Sequence, residues 1–520
     1  MTTRLAVRWS VWLALLGAAL WLGFTLGVRH LTLPDEGRYA GVAWEMIRSG
    51  DWMLPTLDGL PFFHKPPLFY WITSASLSTF GVHMWSARLA PWLGAVLAAT
   101  SLFLLLRRWA AAQTARWALV ILVTQPLFFG AAQFANLDML VAGCISATIA
   151  LLADATLRLD SDRPGYRTPL IGAYAMAALG VLAKGLIGIV LPIAIVGVWL
   201  IVARRWRHLL RLVSVPGVLV FVAIAAPWFI AMQQRFEGFA HYFFVYQHFQ
   251  RYTLGGFNNA QPIWFYVAVL AVCTLPWFPG LWAAARQPTG ASDPPARLLR
   301  LLMWIWLAGI VVFFSLPRSK LVGYVLPAAP PLAALIADGI WRRSLDAART
   351  ERRMRAVTAL AAVLCIGVVI AARVFDVRTS ETLASVLAAR HQPGDGVFFV
   401  GEYYYDLPLL ARLREPVEVV ESWHASDIAV RDTWRKELHD AADFSPQAAE
   451  AVLVDRPAFA KRLCARLVSW VVARADAAQH YPELASLQPA AVSGRAALWR
   501  IDAKACADSG GVPAPTGPPG

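Results

Sequence analysis

Apolar stretches long enough to cross a hydrocarbon core of about 30 Å recur along the first three quarters of the chain. Each is interrupted by an Arg cluster or a Pro/Gly break, the pattern of a polypeptide that re-enters a bilayer many times. Hydrophobic residues make up 58% of the 520 and the mean hydropathy is +0.52, whereas soluble globular domains carry roughly 45–50% apolar residues. A bilayer is therefore the expected solvent. The first stretch, near Val11 to Val28, has no small-residue cleavage site and runs straight into a charged motif, so it reads as a retained span and not a signal peptide.

The net charge of +14 and pI near 9.9 could suggest nucleic acid. The basic residues are instead mostly dispersed Arg between apolar spans, which marks topology, and no nucleic-acid partner is expected. With positive residues taken as cytoplasmic, Arg4 and Arg8 put the N-terminus inside. Arg107, Arg108 and Arg116, then Arg158, Arg163 and Arg167, then Arg204 to Arg211, then Arg286 to Arg300, and finally six Arg between Arg342 and Arg355 mark successive returns. The count is about eleven spans, in a range of roughly ten to thirteen because hydropathy merges or splits short helices. The expected fold class is mainly α, a multi-pass membrane protein of about 11–13 transmembrane helices.

By the same alternation the loop 29–85, the turns at Asn136-Leu137-Asp138 and Lys184-Gly185, the loop Gln233 to Pro262 and the hairpin at Arg318-Ser319-Lys320 all fall on the outer face. The membrane region holds only three lysines, Lys65, Lys184 and Lys320, and all three lie on that face. Snorkelling at helix ends explains any one of them, but less easily three on the side that positive residues avoid.

Residues 1–374 thus read as a membrane domain that includes the first outer loop. Residues 375–508 change character: Gly396-Val-Phe-Phe-Val-Gly, Val417-Glu-Val-Val and Ala451 to Asp455 read as short buried strands, with helices near Leu407 to Leu413 and Asp427 to Ala442. This predicts a soluble α/β domain on the outer side, followed by a Pro/Gly-rich disordered tail, 509–520. Of five cysteines, Cys144, Cys273 and Cys365 lie in apolar segments and make no metal-type spacing. Cys464 and Cys506 would pair in an oxidising compartment, and two free thiols is an equal reading.

The chemistry-capable residues gather in the outer segments. Leu33-Pro34-Asp35-Glu36-Gly37-Arg38-Tyr39 follows directly on a span, where adjacent carboxylates are costly unless hydrated, paired or used. One is a candidate general base; the other would cap the helix starting near Glu36. In Pro61-Phe62-Phe63-His64-Lys65-Pro66-Pro67 a rigid turn aims an imidazole and an ammonium, suited to a lipid-linked phosphate or, more plainly, to interfacial anchoring. Asp138 sits at the outer mouth of a span, either as an N-cap or as a working carboxylate. His248 and Arg251 stand three apart among aromatics, a spacing that makes helical neighbours. Arg318, Lys320 and Tyr324 share one hairpin tip. Each signal has a structural account; together they resemble a site for an anionic, sugar-bearing lipid.

The runs DEGRYAGVAWEMIRSGDWMLPTLDGLPFFHKPPLFYW, LAKGLIGIVLP, YQHFQRY with PIWFYVAVL and LPW, and FFSLPRSKLVGYVLPAAPPLA resemble the bacterial members of the protein O-mannosyltransferase superfamily, and most of all the lipid A 4-amino-4-deoxy-L-arabinose transferases. The resemblance covers most of the membrane domain; the C-terminal domain is similar only in position and size. It implies a GT-C fold, an undecaprenyl-phosphate-linked sugar donor, lipid A or another envelope acceptor, and a periplasmic active site. Carried over by position, Asp35 is the principal catalytic carboxylate, with Glu36, Arg38 and Asp138 nearby; Lys65, Lys184 and Arg251 contact the donor phosphate, and Tyr324 lines the same cavity. Where that family usually carries Glu in an EKPP motif this chain has His64. With His248 it would leave a nitrogen-rich pair for a divalent metal such as zinc, a weak signal from two ligands on separate loops. The rivals are a flippase for lipid-linked sugars, disfavoured by outer-turn charges and the lack of a visible repeat, and a paralogous transferase serving a protein or another glycolipid.

Overall fold

The computed structural model describes residues 2–250, 259–286, 293–375, 379–428, 431–485 and 487–502, without the side chains of 2–9 and 248–250. Its first part is a helical bundle. α1 (Thr2–Gly23) leads to α2 (Asp35–Ser49), the two-residue strands β1 (Thr56–Leu57) and β2 (Leu60–Pro61), and α3 (Leu68–Phe80). Then come α4 (Leu89–Trp109), α5 (Ala112–Val123), α6 (Pro126–Ala132), α7 (Leu137–Asp160), α8 (Arg167–Lys184), α9 (Ile187–Val202), α10 (Arg207–Leu212) and α11 (Val215–Arg235). The helices Pro294–Ser315, Ala329–Arg342 and Ala347–Phe375 complete the bundle.

Six helices among the described residues are long and apolar enough to cross a membrane, or seven if α5 and α6, bent by 64°, count as one span. That is fewer than the eleven expected. The remaining segments fall short of the length because the chain breaks them: α9 spans 16 residues, and Phe265–Cys273 and Pro279–Ala285 are two short pieces separated by Pro276. Proline removes a backbone donor and clashes with the preceding turn, so an apolar run in hydropathy becomes two helices in space. Burial ranks the spans. α7 is 89% buried and packs on α4 and α8 as the central helix, while Ala347–Phe375 is only 17% buried and presents its apolar side outward, as a lipid-facing helix would.

The C-terminal part is a six-stranded sheet of order β5-β4-β3-β6-β8-β7. β3 (Gly396–Val400), β4 (Glu418–Glu421), β5 (Leu453–Asp455) and β6 (Val468–Arg474) run parallel; β8 (Ala496–Asp502) is antiparallel to β6, and β7 (Ala491–Ser493) to β8. β3 is buried at every position, as expected of a central parallel strand covered on both faces. The first three strands fall where the sequence put them. Cys464 is disulfide-bonded, and Cys506 lies outside the described residues.

α2 is the hinge of the architecture. A Cβ placed on Gly37 would lie 3.0 Å from the Asp406 backbone nitrogen and 3.2 Å from the Tyr405 Cβ, so only a glycine lets the helix approach the C-terminal domain this closely. Trp44 Nε1 donates to the Leu413 carbonyl at 3.0 Å, and the Val417 amide donates to Asp58 Oδ1 at 2.9 Å. The C-terminal domain is thereby fastened directly over the first loop.

Candidate active site

One cavity of about 2440 Å³ opens between the bundle and the C-terminal domain. Asp35 and Arg38 enter it from the first turn of α2, His64 and Lys65 from the Pro-rich turn before α3, Lys184 from the end of α8, and Arg318 and Tyr324 from the hairpin after Pro294–Ser315. Segments more than 280 residues apart in sequence therefore meet on one surface. One side is apolar, with Ile187 and Val190 of α9, Phe313, Leu316, and Ala371 and Phe375 at the end of the last membrane helix, and the side facing the C-terminal domain is polar, with Glu402, Glu437, Arg474 and Arg495.

The two neighbouring carboxylates separate completely. Asp35, 38% exposed, opens to the cavity and accepts from Arg38 Nη2 at 2.5 Å. Glu36 is wholly buried and accepts from Arg88 Nε at 2.8 Å, Arg88 Nη2 at 3.0 Å, the Thr32 amide at 2.9 Å, the Ala135 amide at 2.7 Å, and Arg29. Burial alone would raise its carboxyl, but the Arg88 and Arg29 guanidiniums outweigh that and hold it at about 2. Arg88 in turn donates to the carbonyls of Leu26, Arg29 and His30. Glu36, expected among the catalytic carboxylates, instead sits at the centre of a clamp tying the end of α1, α2, the start of α4 and the α6–α7 turn, and it does not line the cavity. Consecutive helical residues point about 100° apart, so one acid faces solvent and the other the core.

Arg38 is held from the far side by Glu437, on the helix Trp434–Ala442, whose other oxygen accepts from the Tyr405 hydroxyl at 2.6 Å. Burial and the adjacent Glu437 charge keep the Tyr405 phenol well above its ordinary value, so it remains a donor. Sequence reasoning missed both residues; they come from a domain without a local motif.

Asp138 begins α7, where Asn136 caps the helix by accepting from the Asp138 amide at 3.0 Å. It ion-pairs with Lys184, whose Nζ lies 4.3 Å from the centre of the Tyr324 ring. A Cβ on Gly323 would fall 2.2 Å from Asp138 Oδ2, so the hairpin reaches this pair only because it offers no side chain there. Lys320, expected as a substrate-binding cation, is 4% exposed and absent from the lining; its Nζ donates to the carbonyls of Gln261 at 2.9 Å and Pro317 at 2.5 Å. It closes the loop it belongs to. The His248 side chain and Arg251 lie outside the described residues.

For a metal, His64 packs its ring on Phe62 at 4.4 Å between centroids, with Tyr242 at 6.1 Å. Among the described residues no three His, Cys, Asp or Glu side chains stand close enough to share an ion. The His248 side chain, which the sequence sets with His64 as a ligand pair, lies outside the described residues.

Residues 64–230 match the family described as dolichyl-phosphate-mannose-protein mannosyltransferase. The undecaprenyl phosphate-α-4-amino-4-deoxy-L-arabinose arabinosyl transferase of Pectobacterium atrosepticum is 30% identical over 395 residues, 75% of this chain and 68% of that protein. The chain belongs to the aminoarabinose transferase family. A second member, from Pectobacterium carotovorum, is 32% identical over 72% of this chain, which spans 65% of that relative's length. The crystal structure of ArnT from Cupriavidus metallidurans bound to undecaprenyl phosphate superposes with a TM-score of 0.78, 28% identity, and coverage of 95% of this chain and 98% of that one. The Archaeoglobus fulgidus oligosaccharyltransferase, with a TM-score of 0.52 and 14% identity, shares the fold alone. The chain is thus a multi-pass membrane protein of GT-C fold.

Proposed function

We propose that this chain is an inverting glycosyltransferase that moves 4-amino-4-deoxy-L-arabinose, or a closely related sugar, from undecaprenyl phosphate to lipid A at the periplasmic face of the inner membrane. The observation that carries this reading is the meeting, in one cavity, of an apolar wall continuous with the membrane helices and a polar floor holding Asp35, Lys65, Lys184 and Arg318. A prenyl chain suits the first and its phosphate the second. The names of the relatives support the choice of sugar and carrier, and the outward placement of the loops by positive residues supports the periplasmic side.

In this mechanism Lys65 and Lys184 hold the donor phosphate and stabilise the negative charge that grows on it as the glycosidic bond breaks. The Tyr324 ring beneath Lys184 fixes the ammonium from one side while Asp138 fixes it from the other. Asp35 faces the opposite side of the sugar. It deprotonates an acceptor hydroxyl, or, where the acceptor is an already anionic phosphate, it positions that group and stabilises the oxocarbenium-like carbon.

The test is product formation by the purified chain in detergent, given lipid-linked aminoarabinose and lipid A, with masses read by spectrometry. Modified lipid A is the expected product; a folded chain that yields none overturns the proposal, and a lipid carrier that only changes leaflet in vesicles would make it a flippase. Asp35→Asn should abolish transfer while leaving the melting temperature unchanged, and near-normal transfer would remove Asp35 from the mechanism.

A further inference from the structure

Four guanidiniums line the cavity: Arg318 from the bundle hairpin, Arg38, paired with Asp35 and Glu437, Arg474, paired with Asp476 at 3.0 Å, and Arg495. Arg495 is exposed and has no carboxylate partner among the described residues. It follows Gly494, whose φ of 57° turns the chain between β7 and β8. The Arg495 carbonyl accepts from the Ala475 amide at 2.7 Å, which sets Arg495 beside the end of β6 that carries Arg474. The turn is also tied to the membrane domain's exit: Ser493 Oγ donates to the Thr379 carbonyl at 3.2 Å, four residues beyond the last membrane helix.

That exit locates the turn in depth. Ile370, Val374 and Phe375 are 55%, 59% and 81% exposed, an apolar helix side open to acyl chains up to its last residue. A guanidinium just beyond the end of such a helix stands where lipid headgroups begin. Arg offers a planar fork matched to phosphate oxygens, and this one has no carboxylate partner among the described residues, shares the cavity with Asp35, and stands on the C-terminal domain and not with the lysines of the bundle.

We propose that Arg495 is the acceptor site: it takes a phosphate of the lipid A acceptor while the acyl chains lie along the outward side of the helix Ala347–Phe375. The inference rests on the transferase reading above and goes beyond it by assigning donor and acceptor phosphates to different domains. Two anionic substrates then avoid competing for one set of cations.

The experiment measures transfer by the full chain in nanodiscs, varying donor and acceptor separately, for the unaltered chain, Arg495→Ala and Arg495→Lys. Expected are an acceptor KM about tenfold higher in Arg495→Ala, the loss of one charge-assisted contact, an unchanged donor KM, an unchanged melting temperature, and partial recovery in Arg495→Lys. Removing the phosphate from the acceptor should erase the difference between the variants. An acceptor KM that does not move, a donor KM that moves equally, or a difference that persists on the dephosphorylated acceptor overturns the assignment, as does full competition by phosphatidylglycerol, which would make Arg495 a general headgroup contact. Should the unaltered chain transfer nothing, it is the transferase reading that falls.

Discussion

Replacing Glu36 by Gln separates a structural carboxylate from a chemical one. In the folded chain its carboxyl drops from 4.5 to about 2, and at about 1.4 kcal/mol for each tenfold this is about 3 kcal/mol of stabilisation. Because the folded value lies below the unfolded one, that contribution is complete above pH 4.5 and is lost as the pH falls toward 2. Gln keeps the shape but removes the charge, taking from the fully buried Arg88 the carboxylate it pairs with and from Arg29, 8% exposed, its bond to Glu36. Breaking a buried pair in this way costs about 3–5 kcal/mol, which should lower the melting temperature in detergent by roughly 3–5 °C for a chain of this length. Transfer per folded molecule should stay within about threefold of the unaltered chain, because Glu36 does not reach the cavity. The assay is thermal unfolding followed by size exclusion, beside turnover at a temperature where both proteins are folded. A Glu36→Gln chain that melts normally yet transfers nothing would refute the clamp and return Glu36 to the chemistry.

Lys184→Ala should cut kcat by about a hundredfold or more, the usual consequence of removing one group that stabilises transition-state charge, with single-turnover rates as the readout; normal turnover would exclude it from phosphate binding. Gly323→Ala places a methyl where Asp138 Oδ2 now sits, so the hairpin must shift from the Asp138–Lys184 pair, and turnover should fall by about tenfold in a chain that still inserts. Glu437→Gln loosens Arg38 from the C-terminal side; kcat should fall with little change in either KM, and an equal rise in both KM values would instead indicate collapse of the cavity.

Where chemistry was concentrated in short motifs, the sequence made it legible: Asp35 with Arg38, His64 with Lys65, Lys184, and Arg318 with Tyr324 all reach one cavity. The errors have a common cause. Asp35 and Glu36 are equivalent as letters and diverge only through the 100° step of a helix, and Lys320 looks like Lys184 until its ammonium is seen folded back on its own loop. The strands β3, β4 and β5 announced themselves as apolar runs between turns. Arg495 and Glu437 did not, because nothing around them in the chain distinguishes them from surface charges, and only the docking of the C-terminal domain on α2 gives them neighbours. Fewer helices are long enough to cross alone than hydropathy counts as spans, because hydropathy sums over a Pro break that the backbone cannot ignore.

The tight seating of the C-terminal domain on α2 bears on how the reaction avoids water. Asp35, Arg38, Glu437 and Tyr405 form one continuous polar chain from the bundle into the soluble domain, closed against α2 at Gly37. Neither domain alone surrounds Asp35: the bundle supplies its helix and the lysines, and the C-terminal domain supplies the wall that orients Arg38. Under the transfer proposed above, which has to favour a lipid acceptor over water, a carboxylate exposed on an open surface would activate water just as readily. Asp35 instead faces a cavity walled by both domains, whose lining reaches Ala371 and Phe375 at the end of the last membrane helix. That condition explains why a carboxylate motif lying directly after the first span is completed by residues some 400 positions later.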